Sequence, residues 1–220
     1  MSALFRITWF TLLCATGATV LILPAGVPLA WLLARRRFRG RAMLEALVTM
    51  PLVVPPVATG LLLLVLFSRR GAIGRVLERI GIDVVFTWKA VVLAMAVMGL
   101  PLLVRTARAG FEQVNSRYES VAATLGASPV RVFFTISLPL AWPAVLAGAV
   151  LAFARALGEF GATVVVAGSI PGVTRTLAVA IYGYAETGQD RQAMTLVAVA
   201  IAISFVALWV SNHLVERRRV

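Results

Sequence analysis

Long apolar stretches without charge constrain this chain more than any other feature. Five of them follow one another, at residues 7–34, 46–68, 90–104, 132–154 and 193–210. A helix needs about 20 mostly apolar residues to cross a hydrocarbon layer of ~30 Å. Lipid contains no water to satisfy backbone groups, so runs of this length favour spanning helices. The pattern predicts an all-α integral membrane protein and excludes an ordinary soluble enzyme.

The third stretch reaches spanning length when residues 84–88 are added, with Trp88 at the interface and the Lys89 ammonium turned toward the headgroups. A further run, 160–170, is too short for a full span and is typical of a half-helix or re-entrant element. We predict a single domain, 1–220, in which a polytopic helical bundle has five full spans plus this short element. The predicted spans cover about 7–34, 46–68, 84–104, 132–158 and 193–213.

The distribution of arginine predicts the orientation. The net charge is +12, and all but one of the 21 basic residues are arginine. If the N-terminus is outside, the cytoplasmic loops and tail, including 217–219, hold twelve Lys and Arg residues, and the outer segments hold eight. This bias favours a periplasmic N-terminus and a cytoplasmic C-terminus. The apolar spacing in 69–83 predicts a short amphipathic helix on the outer surface.

The residues needed for metal, redox or hydrolytic chemistry are scarce. Cys14 and His213 are the single cysteine and histidine, so no metal site and no catalytic residues are predicted. The single lysine, Lys89, does not lie in the Gly-Lys-Ser/Thr sequence of a P-loop. Arg155 and Glu159 are too few for a membrane enzyme. We predict a non-enzymatic chain without a bound cofactor, whose basic loops contact membrane lipid rather than nucleic acid.

The long polar stretch between the third and fourth spans, 105–131, predicts a short helix at about 117–126. Ser116 and Glu119 fit an S-x-x-E capping box at its start. Gly126 fits the left-handed residue that follows a helix end. A helix this short is not stable alone, so another surface must hold it.

Two sets of side chains on this short helix suit a protein partner. Ala122 and Ala123 leave one side bare, which permits close approach. Arg117 and Tyr118 supply a charge and an aromatic anchor of the kind found at interface hot spots. The sequence leaves open whether Glu119 caps the helix or contacts the partner.

The same segment resembles the EAA loop of ABC importer permeases, whose pattern is E-A-A-x-x-x-G, nine further residues and I-x-L-P. The spacing from Gly126 to Ile136 matches that pattern, whereas Glu119 lies seven residues before Gly126 rather than six. The residues that carry the resemblance are Glu119, Ala122, Ala123, Gly126, Ala127, Ile136, Leu138 and Pro139. The resemblance implies a cytoplasmic coupling helix that enters a groove on a separate ATPase subunit, on which ATP and Mg would be bound.

A second region, 153–163 with 167–177, resembles the molybdate permeases. That resemblance implies the permease subunit of an ATP-driven importer that moves molybdate across the inner membrane by alternating access. Implied partners are two copies of the ATPase, a second copy of this chain and a periplasmic oxyanion-binding protein. Sulfate/thiosulfate and tungstate permeases share related motifs and remain alternatives. A passive anion channel would explain the basic loops and the many prolines, but not the coupling-type helix.

Arg155 and Glu159 stand at i and i+4 at the end of the fourth span, within reach of an ion pair. Charges at membrane depth usually pair or face a cavity. One interpretation is a structural pair that locks this span against 160–170. The other is that Arg155 lines the translocation pathway, with Glu159 holding its guanidinium. Phe160, Gly161 and Thr163 would then belong to the gate.

Overall fold

The computed structural model describes residues 3–216, with side chains through residue 209. Within this part the chain is helical and has no strand. In chain order the helices are α1 (Ala3–Arg35), α2 (Arg41–Val53), α3 (Pro56–Phe67), α4 (Gly74–Arg79), α5 (Trp88–Gln113), α6 (Ser116–Thr124), α7 (Pro129–Val132), α8 (Leu138–Leu157), α9 (Gly161–Ala167), α10 (Leu177–Glu186) and α11 (Asp190–Glu216). The His213 side chain and the basic residues 217–219 lie outside the described part.

Four helical segments among the described residues are long and apolar enough to cross a membrane: α1, α5, α7 with α8, and α11. A π-helical turn, Phe133–Ser137, makes α7 and α8 one continuous segment. The pair α2 and α3 would be a fifth crossing if the two are counted as one bent span. The bundle of several apolar spans predicted from the sequence is therefore confirmed.

The predicted second span, 46–68, is wrong as a single helix. The chain breaks between α2 and α3, whose axes differ by 112°. Val54 and Pro55 are extended there, with ψ of 135° and 133°. Consecutive prolines at 55 and 56 remove two N–H donors, and each disfavours helical geometry in the residue before it. The proline pair thus turns a spanning-length run into two short helices.

Helix α5 is the centre of the bundle and packs against α1 and α8. Small residues allow the close approach of α5 and α8. A Cβ on Gly110 would clash with the Cβ of Ala144, so only glycine fits there. The predicted boundaries of this span, 84–104, need correction at both ends. Thr87 caps the helix by accepting a hydrogen bond from the Lys89 N–H, so residues 84–87 lie outside it. The helix then continues to Gln113, past Pro101 and the polar residues that follow.

The segment predicted as an amphipathic helix, 69–83, is helical at α4 and otherwise turns. Its charges pair with one another: Arg69 Nη2 lies 3.1 Å from Asp83 Oδ2, and Arg69 Nε lies 3.8 Å from Glu78 Oε1. The hydrogen bond from Arg69 to Asp83 raises the pKa of the exposed guanidinium above its usual value. These acidic partners offset part of the positive charge that the arginines bring to this loop.

The short element predicted at 160–170 is α9, which is about 10 Å long at 1.5 Å per residue. It packs against α3, where Gly60 lies against the backbone of Ala162. Helix α10, which follows after a loop, was not predicted from the sequence. Thr176 caps α10, and the Leu177 N–H donates to the Thr11 hydroxyl of α1 at 2.9 Å. These contacts place α9 against α3 and the start of α10 against α1.

Candidate functional site

Helix α6 and the loop around it project from the end of the bundle where α1 and α5 end, here called the α6 end. None of the residues of α6 is buried. The N-cap is Asn115, whose Oδ1 accepts a hydrogen bond from the Arg117 N–H at 2.9 Å. The capping box predicted for Ser116 and Glu119 is therefore wrong. Gly126 follows the helix with φ of 84°, as predicted for a left-handed residue after a helix end.

The Glu119 carboxylate points into the bundle instead of back along α6. Its Oε1 accepts hydrogen bonds from Arg35 Nε at 3.0 Å and from Ser137 Oγ at 2.7 Å. The side chains of Arg35 and Glu119 are 14% and 17% exposed. Arg35 also donates through Nη2 to the Val114 carbonyl at 2.7 Å. One charged cluster thereby holds α6 against the ends of α1, α5 and α8.

The π-helical turn explains how Ser137 reaches this cluster. An inserted residue shifts the side chains that follow it around the helix axis, and such turns are common at functional sites. Ser137 is fully buried at the end of the turn and donates to Glu119. The turn contains Ile136 and is followed directly by Leu138 and Pro139 at the start of α8. The I-x-L-P part of the motif therefore coincides with the place where α8 meets the Glu119 cluster.

The outer face of α6 carries the predicted anchor Tyr118 and two large apolar side chains, Val121 and Leu125, that were not predicted from the sequence. Tyr118, Val121 and Leu125 are 58%, 53% and 82% exposed, respectively. Their spacing of three and four residues places them on one face of the helix. Arg117 is exposed nearby and forms no ion pair with any described residue. An exposed apolar face beside a cation is suited to a protein partner.

The remaining motif residues differ in their burial. Ala122 and Ala127 are half-buried, whereas Ala123 and Gly126 are exposed. Two of these four small residues are therefore open to solvent. Their predicted contact with a partner stays a prediction.

A second ionic cluster at the α6 end ties α2 to α5. Arg108 of α5 binds Glu112 at 2.7 Å and Glu45 of α2 at 2.5 Å. Arg41, at the start of α2, lies 4.0 Å from Glu112. The network anchors one end of the bent α2–α3 pair to the central helix.

The ion pair predicted at the end of α8 is present. Arg155 Nη1 lies 2.7 Å from Glu159 Oε2, and Glu159 is 1% exposed. The other carboxylate oxygen accepts a hydrogen bond from the Ala162 N–H at 2.8 Å, in the first turn of α9. Glu159 therefore joins α8 to α9, as the structural interpretation of this pair predicts. The side chain of Arg155 is 26% exposed, so part of the guanidinium also reaches the surface.

The residues predicted as a gate lie around this pair. The Phe160 ring packs on Tyr182 of α10 with centroids 4.8 Å apart, and Tyr182 is 51% exposed. Gly161 is buried against Pro56, where a Cβ would lie 2.8 Å from the proline side chain. Thr163 is fully buried, and its hydroxyl has no hydrogen-bond partner among the described residues. Their role as a gate stays a prediction, to which Tyr182 is added.

The described residues contain no group of three or more His, Cys, Asp or Glu side chains placed to hold a metal ion.

Comparisons with known proteins agree with the helical fold. A family model described as "Binding-protein-dependent transport system inner membrane component" matches residues 26–220. The molybdenum transport system permease protein ModB of Escherichia coli (strain K12) is 47% identical over 204 residues, which cover 92% of this chain and 89% of that protein. The sulfate transport system permease protein CysT of Salmonella typhimurium is 37% identical, over 94% of this chain and 75% of that protein.

The fold is also similar to a solved structure. The MetNI methionine ABC transporter, in an inward facing conformation, superposes with a TM-score of 0.76 at 16% identity, over 99% of both chains. At this identity the similarity concerns the fold alone.

Proposed function

The chain belongs to the family of binding-protein-dependent transport system inner membrane components, and we propose that it is the permease subunit of an ATP-driven molybdate importer. The bundle supplies several apolar spans. We assign molybdate because the 47% identical relative is named a molybdenum permease. The sulfate permease is the more distant of the two relatives compared, at 37% identity. Tungstate remains an alternative cargo, since it shares the charge and tetrahedral shape of molybdate.

The exposed face of α6 is the observation that carries the ATP-driven part of the proposal. Tyr118, Val121 and Leu125 together form an exposed apolar patch, and such patches on a protein surface mark sites of interaction with a partner. A separate cytoplasmic ATP-binding subunit would cover Tyr118, Val121 and Leu125 in a groove, with Arg117 at its rim. The Glu119 cluster would hold α6 firmly enough for movement of that groove to reach the spans.

We propose that two copies of this chain form one pathway between them, with two ATP-binding subunits below. A periplasmic binding protein would deliver the oxyanion to the outer mouth. ATP can shift the permease between two states only as far as its binding free energy differs between them. That difference would pass through α6 to α1, α5 and α8, because Glu119 joins the helix to Arg35 and Ser137, and Arg35 in turn donates to the Val114 carbonyl at the end of α5.

The proposed orientation has the N-terminus in the periplasm and the C-terminus in the cytoplasm. It follows from the excess of arginine on one side of the membrane. In this orientation α6 faces the cytoplasm, where an ATP-binding subunit can reach it, and Arg69 and its acidic partners face the periplasm.

The experiment is an ATPase assay on the permease co-purified with its ATP-binding subunit in lipid nanodiscs. Binding protein loaded with molybdate, tungstate or sulfate is titrated in. We expect hydrolysis to be stimulated, with half-stimulation at the lowest concentration when molybdate is the cargo. A lower half-stimulation with sulfate would reassign the cargo but keep the importer. Anion flux without nucleotide, together with no co-purified ATPase, would contradict the proposal and favour a channel.

A further inference from the structure

A groove of about 660 Å³ opens on the bundle surface between α1 and α5, at the end opposite α6. On α1 it follows one stripe, which runs from Phe10 through Leu13 and Gly17 to Leu21. The eleven helical steps from residue 10 to residue 21 rise about 16 Å, which is close to half of a ~30 Å hydrocarbon layer. The groove therefore has the length of one leaflet.

The groove is deep at Gly17, because this residue has no side chain to fill it. A Cβ at this position would have one neighbour within 4 Å, Val92 Cγ2 at 3.9 Å, so the space in front of it is open. Leu13 and Leu21, on either side along α1, are 54% and 58% exposed. The walls are apolar except where α5 begins, at Trp88 and Lys89.

Lys89, the single lysine of the chain, supplies a positive charge on this groove. Its ammonium lies 3.4 Å from the Asp83 carbonyl oxygen, which engages one of its three donors. The Asp83 carboxylate is bound by Arg69 and so does not neutralise the lysine. Trp88 is 55% exposed beside it, as expected for an aromatic residue at the interface. A cation with free donors at the interface end of an apolar groove matches a phosphate followed by a hydrocarbon chain.

We propose that this groove binds an anionic phospholipid, with one acyl chain along α1 and the headgroup phosphate on Lys89. A spanning protein leaves no such groove empty in a bilayer, because the surrounding solvent is itself hydrocarbon. What sets this groove apart is its headgroup contact. A second groove, about 600 Å³ between α1, α8 and α11, has no charged residue in its lining and provides a comparison within the same chain.

The test uses quenching of tryptophan fluorescence by brominated phospholipids in reconstituted vesicles. One chain keeps Trp88, with phenylalanine replacing the other four tryptophans. The matched chain keeps Trp209, which follows the lining residues Val206 and Ala207 of the uncharged groove by a few residues and is 60% exposed. Each chain is measured with brominated phosphatidylglycerol in competition with unbrominated phosphatidylcholine, and with the labels exchanged.

We expect phosphatidylglycerol to be preferred over phosphatidylcholine at Trp88 by about fivefold, the factor that one cation near an anionic headgroup provides. At Trp209 the ratio should be close to one. Lys89→Gln should bring the ratio at Trp88 down to that at Trp209. Gly17→Leu, which has open space for its side chain, should fill the groove and reduce quenching at Trp88 by either lipid.

Two results would overturn the proposal. Equal ratios at Trp88 and Trp209 would mean that ordinary, unselective lipid fills the groove. Loss of quenching at Trp88 by both lipids as the ratio of protein to lipid rises would mean that a second protein copy covers it. The single-tryptophan chains are compared in circular dichroism and melting temperature with the native chain, so that misfolding is not mistaken for either result.

Discussion

At the scale of single residues, Glu119 decides where α6 sits. Its carboxylate accepts hydrogen bonds from both Arg35 and Ser137. Arg35 precedes Glu119 by 84 residues in the chain, and Ser137 follows it by 18. Charge-assisted hydrogen bonds of this kind are stronger than neutral ones, and partial burial shields them from water. Glu119 thus positions α6, and its carboxylate faces the bundle rather than the exposed apolar side of the helix.

The first prediction concerns the Arg35–Glu119 pair. Arg35→Met leaves a mostly buried carboxylate without its cation, which should cost about 2–3 kcal/mol and lower the melting temperature by about 5 °C or more. The double variant Arg35→Met/Glu119→Gln should recover much of this loss, because no buried charge remains unpaired. The measurement is thermal unfolding of the purified permease in detergent.

Arg117→Met is the matched control for that prediction. Arg117 is exposed and forms no ion pair within the described part of the chain, so its loss should change stability by less than about 0.5 kcal/mol. If the double variant melts no higher than Arg35→Met, the pair does not act as a unit.

The second prediction separates the two interpretations of Arg155 and Glu159. Arg155→Met leaves the Glu159 carboxylate, which is 1% exposed, without its cation. This should destabilise the chain by about 3–5 kcal/mol. The double variant Arg155→Met/Glu159→Gln keeps an oxygen to accept from the Ala162 N–H and should fold. Membrane yield and melting temperature report stability, and oxyanion uptake reports transport.

Uptake by the folded double variant distinguishes the roles. Near-native uptake would assign the pair to structure alone. Uptake lost by about tenfold or more, with stability retained, is the result expected if Arg155 also lines an anion pathway, because the guanidinium would no longer stabilise the passing anion.

At the scale of elements, α6 presents its apolar residues outward. The third prediction is that Leu125→Ser weakens binding of the ATP-binding subunit by about tenfold or more, since burying a leucine contributes ~1.5–3 kcal/mol. The stability of the permease alone should not change, because this side chain is 82% exposed. The measurement is affinity for the purified subunit by biolayer interferometry in nanodiscs.

Ser120→Ala on the same helix is the control, since Ser120 lies away from the apolar face and its hydroxyl binds the Ser116 carbonyl. Equal affinity in native and Leu125→Ser permeases would remove α6 from the docking surface.

The fourth prediction concerns the contact between α3 and α9. A Cβ on Gly60 would lie 2.7 Å from the Ala162 carbonyl oxygen and 2.8 Å from its Cα, so Gly60→Ala must push two backbones apart. We expect a loss of about 1–3 kcal/mol, measured as a lower melting temperature. Gly183→Ala in α10 has open space and should be neutral or stabilising by up to about 1 kcal/mol. A harmless Gly60→Ala would mean that α9 is not packed against α3.

Local signals predicted several elements and missed others for physical reasons. Gly126 marked the end of α6, because a left-handed residue there is a local requirement. The proline pair at 55 and 56 is a local signal for a helix break. The apolar run 46–68 that contains it nevertheless has the length of one span, and this length decided the prediction. α10 has a Thr176 cap and an apolar run, but at ten residues it is too short to register as a membrane span.

The site was predicted less completely than the elements were. The i,i+4 spacing of Arg155 and Glu159 is local, and it correctly indicated their ion pair. Arg35, the partner of Glu119, lies 84 residues earlier in the chain, at the start of the basic run 35–41. No periodicity in the sequence connects the two residues. A capping box was therefore the nearest local explanation for a contact that the tertiary fold provides.

At the scale of the whole molecule, orientation connects the features described above. The proposed function needs α6 in the cytoplasm, and the Lys and Arg residues that predict this orientation number twelve inside against eight outside. Acidic partners lie beside basic residues on both sides, since Glu119 pairs with Arg35 in the cytoplasmic set and Asp83 pairs with Arg69 in the outer set. Asp and Glu contribute little to orientation, so the bias rests on the count of Lys and Arg.

The fifth prediction tests that orientation with a maleimide that does not cross membranes. Cys14 is 4% exposed, so the native chain should label weakly and serve as the blank. Ala72→Cys, in the exposed loop before α4, should label in intact spheroplasts, whereas Ser120→Cys on α6 should label only after the membrane is opened. The reverse pattern would place α6 outside the cell. No cytoplasmic ATP-binding subunit could then reach its apolar face, and the importer proposal would fail even if every spanning helix were correct.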